Sequence, residues 1–168
     1  GGFLGALAAG SLFAYFYARC CRLPFWSLGD HLVPGIAAGY AVMKIGCFLN
    51  GCCSGISSSR PWAVRFPFQN TYVHPVQLYE SVLTLALAVF LYRKHGREKW
   101  MDGRLIGLFL IIFSSIRILT AFFRSQPQTE FIIHQLSFSA ALVMGLWILS
   151  SRKMPSFFLT IHDHRRSL

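Results

Sequence analysis

Five long apolar segments, joined by short connections, constrain this chain more than any other feature of its sequence. Each is about 17–20 residues long, close to the length of a helix that crosses the hydrocarbon of a bilayer. Charged residues make up only 13% of the chain, about half of their share in an ordinary soluble domain. We therefore predict an all-α fold, a polytopic membrane helical bundle with about five transmembrane spans. The segments are Gly1–Tyr17, Leu32–Leu49, Pro75–Tyr92, Leu105–Phe123 and Phe131–Leu149.

The basic residues are distributed unevenly among the connections. A net charge of +10 would suit nucleic acid, but the lysines and arginines lie mainly between apolar segments, where membrane topology explains them, so we predict no nucleic-acid partner. By the positive-inside rule, residues 151–168 form a basic cytoplasmic tail and the loop 54–74 lies on the outer face. Because Gly1 already lies inside an apolar segment, we expect residues 1–150 to form a transmembrane domain that lacks its N-terminal part.

The stretch 44–55 combines a lysine and an asparagine with three cysteines and three glycines. A cation at membrane depth is costly, so Lys44 either extends its ammonium group to the headgroups or binds a phosphate. The cysteines at 47, 52 and 53 allow a disulfide, plain packing or metal ligation. Adjacent cysteines with no histidine at ligand spacing match no usual zinc pattern, so we predict no metal and no cofactor.

Charged and polar side chains in the third and fourth segments suggest a site for an anion. Arg117 and Arg124 are seven residues apart and share a helix face. Glu80 is the one acid within a segment, so Arg117 either forms a structural ion pair with it or binds a lipid phosphate through its guanidinium fork. His74 and Gln77 open the third segment, and His74 is either a base, a donor to a headgroup or a structural histidine.

The order of several motifs resembles the bacterial prolipoprotein diacylglyceryl transferases, a family of about seven spans. The most specific match is residues 74–80, which reproduce the family's His-Pro-x-Gln-Leu-Tyr-Glu in full. Residues 43–55 follow its Gly-Arg-x-Gly-Asn-Phe-x-Asn-Gly-Glu-x-x-Gly, and residues 117–124 its Arg-x-x-x-Glu-Phe-Phe-Arg. Shorter matches are Gly1–Gly5 with the end of a His-Gly-Gly-Leu motif, Asp30 with Pro34, and Gln135–Ser137.

The resemblance implies a transferase of the bacterial cytoplasmic (inner) membrane that acts in lipoprotein biosynthesis. Such enzymes move the diacylglyceryl group of phosphatidylglycerol to the thiol of a lipobox cysteine in a prolipoprotein signal peptide and release glycerol phosphate. The reaction needs a base for the thiol and cations for the phosphate. The resemblance implies catalytic roles for His74 and Arg117. It implies as base the histidine of the His-Gly-Gly-Leu motif, expected just before Gly1, with His74 as the substitute within this chain. It implies binding of the phospholipid and its phosphate by Lys44, Asn50, Gly55, Gln77, Tyr79, Glu80 and Arg124.

Four polar positions depart from the family pattern. Lys44 replaces an arginine, Cys47 an asparagine, and both Cys52 and Ala121 a glutamate. These departures leave two other functions open. One is a paralogous membrane protein that binds or modifies a phospholipid headgroup without lipidating a protein. The other is a non-catalytic structural bundle.

Overall fold

The described part of the protein is helical. The computed structural model describes residues 2–67, 69–98, 102–125 and 127–151, so residues 152–168 of the predicted tail lie outside it. The helices are α1 (Gly2–Cys20), α2 (Phe25–Leu49), α3 (Val76–Glu98), α4 (Arg104–Ala121) and α5 (Gln128–Ser151). Only isolated β-bridges accompany them in these ranges. Helices α2 to α5 are long and apolar enough to cross a membrane, which confirms an all-α, multi-pass membrane bundle.

The helices extend beyond the apolar segments that predicted them. Helix α2 begins at Phe25 rather than Leu32, directly after the extended residue Pro24, and α3 continues to Glu98 rather than ending at Tyr92. Polar residues continue a helix because the backbone bonds do not require apolar side chains. Consequently Asp30, which hydropathy places ahead of the second span, lies inside α2.

Two helix pairs form the bundle. Helix α2 packs against α3 and α4 against α5, while contacts of α3 and α2 with α4 join the pairs, and α1 contacts α2. Glycines permit the close crossing of α4 and α5, since a Cβ on Gly145 would lie 2.9 Å from the carbonyl oxygen of Gly107. The buried apolar core lies between α2, α3 and α4 and consists of Val33, Leu87, Leu91, Leu105, Phe113 and Ile116.

Asp30 stabilises the start of α4 from the neighbouring helix α2. Gly103, the N-cap of α4, has a left-handed backbone (φ 92°) and has no side chain to cap the helix. The Asp30 carboxylate accepts hydrogen bonds from the amides of Gly103 (2.8 Å) and Ile106 (3.0 Å). First-turn amides have no intrahelical partner, so this completely buried carboxylate replaces a local cap and ties α2 to α4.

We expect Asp30→Ala to destabilise the protein by about 1–2 kcal/mol, because it removes an N-terminal cap and leaves buried amides unpaired. Thermal unfolding in detergent measures this loss. The matched control is Asp102→Ala at the same helix end, which removes a half-exposed ion pair with Arg104 and should cost less than about 1 kcal/mol. Equal losses in the two variants would contradict the capping role of Asp30.

Candidate functional site

The predicted site residues gather at one end of the bundle. Helix α2 ends, α3 begins and α4 ends at this side, and the loop 50–75 covers it. Lys44, Glu80 and Arg117 each lie four or five residues from those helix ends, which corresponds to a similar depth of about 6–8 Å along each helix. Three helices therefore supply one charged side chain each to the same level of the bundle.

Glu80 binds both of the buried cations. Its Oε2 atom lies 2.5 Å from the Nζ atom of Lys44, and its Oε1 atom accepts a hydrogen bond from Nη1 of Arg117. Lys44 is only 4% exposed, so the interpretation of a lysine that extends to the headgroups is wrong. The Glu80–Arg117 ion pair, one of two alternatives from the sequence, is present. Because the single negative charge of Glu80 faces two cations, the cluster carries one positive charge in excess.

Three neighbours of this cluster were missed in the sequence. The hydroxyl of Tyr40 donates to Oε2 of Glu80 (3.3 Å), and that of Thr120 donates to Oε1 (3.1 Å). The Arg117 guanidinium lies 5.1 Å above the ring of Phe138 on α5. Tyr40 precedes Lys44 by four residues and Thr120 follows Arg117 by three. Because these spacings place Tyr40 and Thr120 on the same helix faces as the two cations, they were the sequence signal that could have identified both residues.

A short strip of backbone, residues 54–56, joins the start of α3 to the end of α4. The amide of Gly55 donates to the carbonyl of His74 (3.0 Å), and that of Ile56 donates to the carbonyl of Phe123 (2.9 Å). A Cβ on Gly55 would lie 2.5 Å from the carbonyl oxygen of Phe123, so only glycine fits there. Residues 54–56 therefore connect the backbone of His74 with that of Arg124, which forms an isolated β-bridge with Gly55.

His74 is half-buried at the mouth of the site. Its Nδ1 atom lies 3.2 Å from the hydroxyl of Tyr79, and its ring meets the ring of Phe123 edge to face. In the described ranges, the Nε2 atom of His74 has no hydrogen-bond partner. Tyr79 thus orients the ring through one nitrogen and leaves the other available for a proton.

Gln77 and Asn50 lie next to the short segment that carries Cys52 and Cys53. The Nε2 amide of Gln77 donates to the backbone carbonyl of Cys52 (2.6 Å). Its Oε1 atom is buried and has no partner among the described residues. Asn50 is exposed at the end of α2, two residues before Cys52. Burial tends to raise the pKa of Cys52, but hydrogen bonds with Cys47, Cys53 and Asn50 leave that pKa below its ordinary value.

Arg124 is the cation of the site for which the described residues provide no carboxylate partner. It is half-buried just beyond the end of α4, and within the described ranges it forms no salt bridge. Arg124 therefore adds a second excess positive charge at the same end of the bundle as the Glu80 cluster.

The fold and these contacts define a class: a multi-pass membrane protein with a buried, positively charged site at one end of the bundle. Comparison with known families is consistent with this class. Residues 1–152 match the family model described as prolipoprotein diacylglyceryl transferase. The chain belongs to this family.

Individual relatives carry the name phosphatidylglycerol–prolipoprotein diacylglyceryl transferase. The chain is 33% identical to the protein of Clostridium tetani, over 74% of this chain and 51% of the relative. It is 37% identical to that of Rhizobium meliloti, over 76% and 47%. It is 31% identical to that of a strain of Prochlorococcus marinus, over 93% and 61%. The chain thus spans about half the length of the curated relatives it matches.

We expect Glu80→Gln to destabilise the protein by about 3–5 kcal/mol, because it leaves two cations buried without a countercharge. The double variant Glu80→Met/Arg117→Met still leaves Lys44 unpaired and should recover little. The triple variant that adds Lys44→Met should recover most of the loss. Unfolding midpoints of the three variants in one detergent test this order. A double variant as stable as the triple would show that Lys44 contributes nothing to the cluster.

Proposed function

We propose that the protein to which this chain belongs transfers the diacylglyceryl group of phosphatidylglycerol to the thiol of a lipobox cysteine in a prolipoprotein signal peptide. One observation carries the proposal: Glu80 is the one carboxylate paired with the two buried cations Lys44 and Arg117, and within the described ranges Arg124, at the same end of the bundle, forms no salt bridge. A purely structural ion pair needs no second or third cation. The excess charge suits the phosphate of an anionic lipid.

Other groups at the site suit the glycerol part of the headgroup. The buried Oε1 atom of Gln77 has no partner among the described residues, although buried polar atoms are almost always hydrogen-bonded. A hydroxyl of the glycerol headgroup would satisfy it. Asn50 is exposed at the same loop and supplies a further polar contact. The amide of Gly55 already binds His74, so its proposed contribution is to hold the loop close to the lipid site.

In the proposed reaction, His74 takes the proton of the acceptor thiol at its Nε2 atom, while Tyr79 holds the ring at Nδ1. The thiolate sulfur forms a bond with the glyceryl carbon, and the bond from that carbon to the phosphate oxygen breaks. The departing glycerol phosphate keeps the electron pair. Arg124, with Arg117 behind it, stabilises the charge that develops on the phosphate, which is the larger part of such catalysis.

The site is proposed to face the outer side of the bacterial cytoplasmic membrane. The basic end of α3 with Arg93, Lys94 and Arg97 lies at the opposite end of the bundle from the loop 54–74. The positive-inside rule places that basic end, and the C-terminus, in the cytoplasm. Residues 1–150 would then be the transferase-like membrane domain, open to a lipid from the outer leaflet.

Arg124→Ala tests the phosphate role without disturbing the buried cluster. We expect kcat/KM for lipidation to fall roughly 10²–10³-fold, as for loss of one transition-state donor, with unchanged thermal unfolding. The assay uses the full-length protein in phosphatidylglycerol proteoliposomes with a lipobox peptide, and mass spectrometry detects the thioether product. Arg60→Ala is the control, since Arg60 is an exposed arginine of the loop 54–74 whose guanidinium lies 6.0 Å above the ring of Trp62.

The same assay separates the other functions. Unchanged lipidation in Arg124→Ala would refute the phosphate role of this residue. Binding of phosphatidylglycerol vesicles by the unaltered protein without any peptide product would indicate a headgroup-binding paralogue. If the unaltered protein neither binds the vesicles nor transfers the lipid, the remaining interpretation is a structural bundle.

His74→Gln tests the base. We expect a roughly 10²–10⁴-fold lower rate at neutral pH, because proton transfer from the thiol loses its acceptor. Partial recovery above the pKa of the peptide thiol should follow, since the thiolate then forms without a base. Tyr79→Phe is the matched variant that keeps the imidazole and removes only its orienting hydrogen bond, and it should retain most activity. A His74→Gln variant with the same pH dependence as the unaltered protein would exclude His74 as the base.

A further inference from the structure

Three cysteine sulfurs lie together at the end of α2. The Sγ atoms of Cys47, Cys52 and Cys53 are all within 4.8 Å of one another, and all three cysteines are free thiols. The spacing along the chain gave no metal pattern, because the cluster is made by a chain reversal rather than by a regular motif. Cys20 and Cys21, the remaining cysteines of the chain, lie at the far end of α1.

The reversal has a defined backbone. The amide of Cys52 donates to the carbonyl of Cys47 (3.1 Å), and the Cys52 thiol points to the same oxygen (3.6 Å). Gly51 (φ 68°) and Cys53 (φ 60°) adopt left-handed backbone conformations, which a cysteine rarely does. Gln77 then anchors the loop to α3 through the Cys52 carbonyl. The three sulfurs are therefore held near one another by the fold.

We propose that Cys47, Cys52 and Cys53 bind one thiophilic metal ion of the Zn²⁺ class. Metal–sulfur bonds of about 2.3 Å in tetrahedral geometry place sulfurs about 3.8 Å apart, which is compatible with three sulfurs that all lie within 4.8 Å of one another. Thiolates select soft ions of this kind over Mg²⁺ or Ca²⁺. Three protein ligands leave the fourth position of a tetrahedral ion for a ligand from outside the cluster, as in metal sites that take part in chemistry.

Binding requires that the three thiols release their protons to solvent, so the resulting centre with a divalent ion carries one net negative charge. Lys44 lies one turn before Cys47 on α2 and offers a positive charge nearby. The proposal does not depend on the transferase reaction. Two of its ligands, Cys47 and Cys52, replace the asparagine and the glutamate of the family pattern, and the proposal assigns them a ligand of their own.

The experiment measures metal binding and thiol protection in the full-length protein in detergent. Purified protein, reduced and then dialysed with Zn²⁺, should retain one Zn²⁺ per chain. Substitution of any of the three cysteines by serine should weaken binding more than about 100-fold, since even outer-shell changes cost roughly 10–100-fold. The control Cys20→Ser/Cys21→Ser should retain its Zn²⁺. Cd²⁺ should bind to the same proteins with a sulfur-to-metal charge-transfer band, which is lost in the three serine variants.

Maleimide labelling separates the proposal from its alternatives without relying on any variant. In the Zn²⁺-loaded protein, Cys20 and Cys21 should react, whereas the three site thiols should react only after a chelator removes the ion. Labelling of the site thiols without a chelator would overturn the proposal. Labelling that requires a reductant rather than a chelator would instead show a disulfide within the cluster, and this result would also overturn it.

Discussion

The burial of Glu80 between Lys44 and Arg117 is the interaction on which the rest of the site depends. Each of these side chains comes from a different helix, and each is nearly inaccessible. Removing such charges from water is costly, and the cost is offset only when the partners are correctly placed. The cluster therefore penalises any arrangement of α2, α3 and α4 that separates the three groups. It sets the depth and rotation of these helices where apolar packing against lipid specifies little.

The loop over this end of the bundle is coupled to the same helices through its backbone. Gly55 and Ile56 donate to the carbonyls of His74 and Phe123, which lie just before α3 and just after α4. Main-chain hydrogen bonds thus hold the start of α3 and the end of α4 at a fixed separation, independently of the ion pairs of Glu80. His74 and Arg124 project from these fixed points. Rigid main-chain support is what a site needs if a base and a cation are to act on one lipid.

The five helices of the described ranges and their order could be predicted from apolar segments, and short motifs indicated the candidate site residues that the structure brings together at one end of the bundle. The pairing within the site could not. From the sequence, the possible partner of Glu80 was Arg117. In the structure Glu80 pairs with both Arg117 and Lys44. The second pair could not be predicted, because the burial of Lys44 depends on how α2 packs. The position of Asp30 within α2 was also missed, since hydropathy marks the apolar length and not the helix end. The proximity of Cys47, Cys52 and Cys53 arises from left-handed residues at 51 and 53, and spacing alone does not reveal it.

The substitutions that separate this chain from the family pattern have one electrostatic consequence. Cys52 and Ala121 stand where that pattern has glutamates, and within the described ranges Glu80 is the one carboxylate that pairs with Lys44 and Arg117. Fewer carboxylates make the site more positive, which strengthens attraction to an anionic headgroup in a poorly screened environment. Lysine at position 44 binds as a point charge without a planar fork. Orientation of the phosphate therefore falls to the arginines, and Arg124 is the one that Glu80 does not already hold.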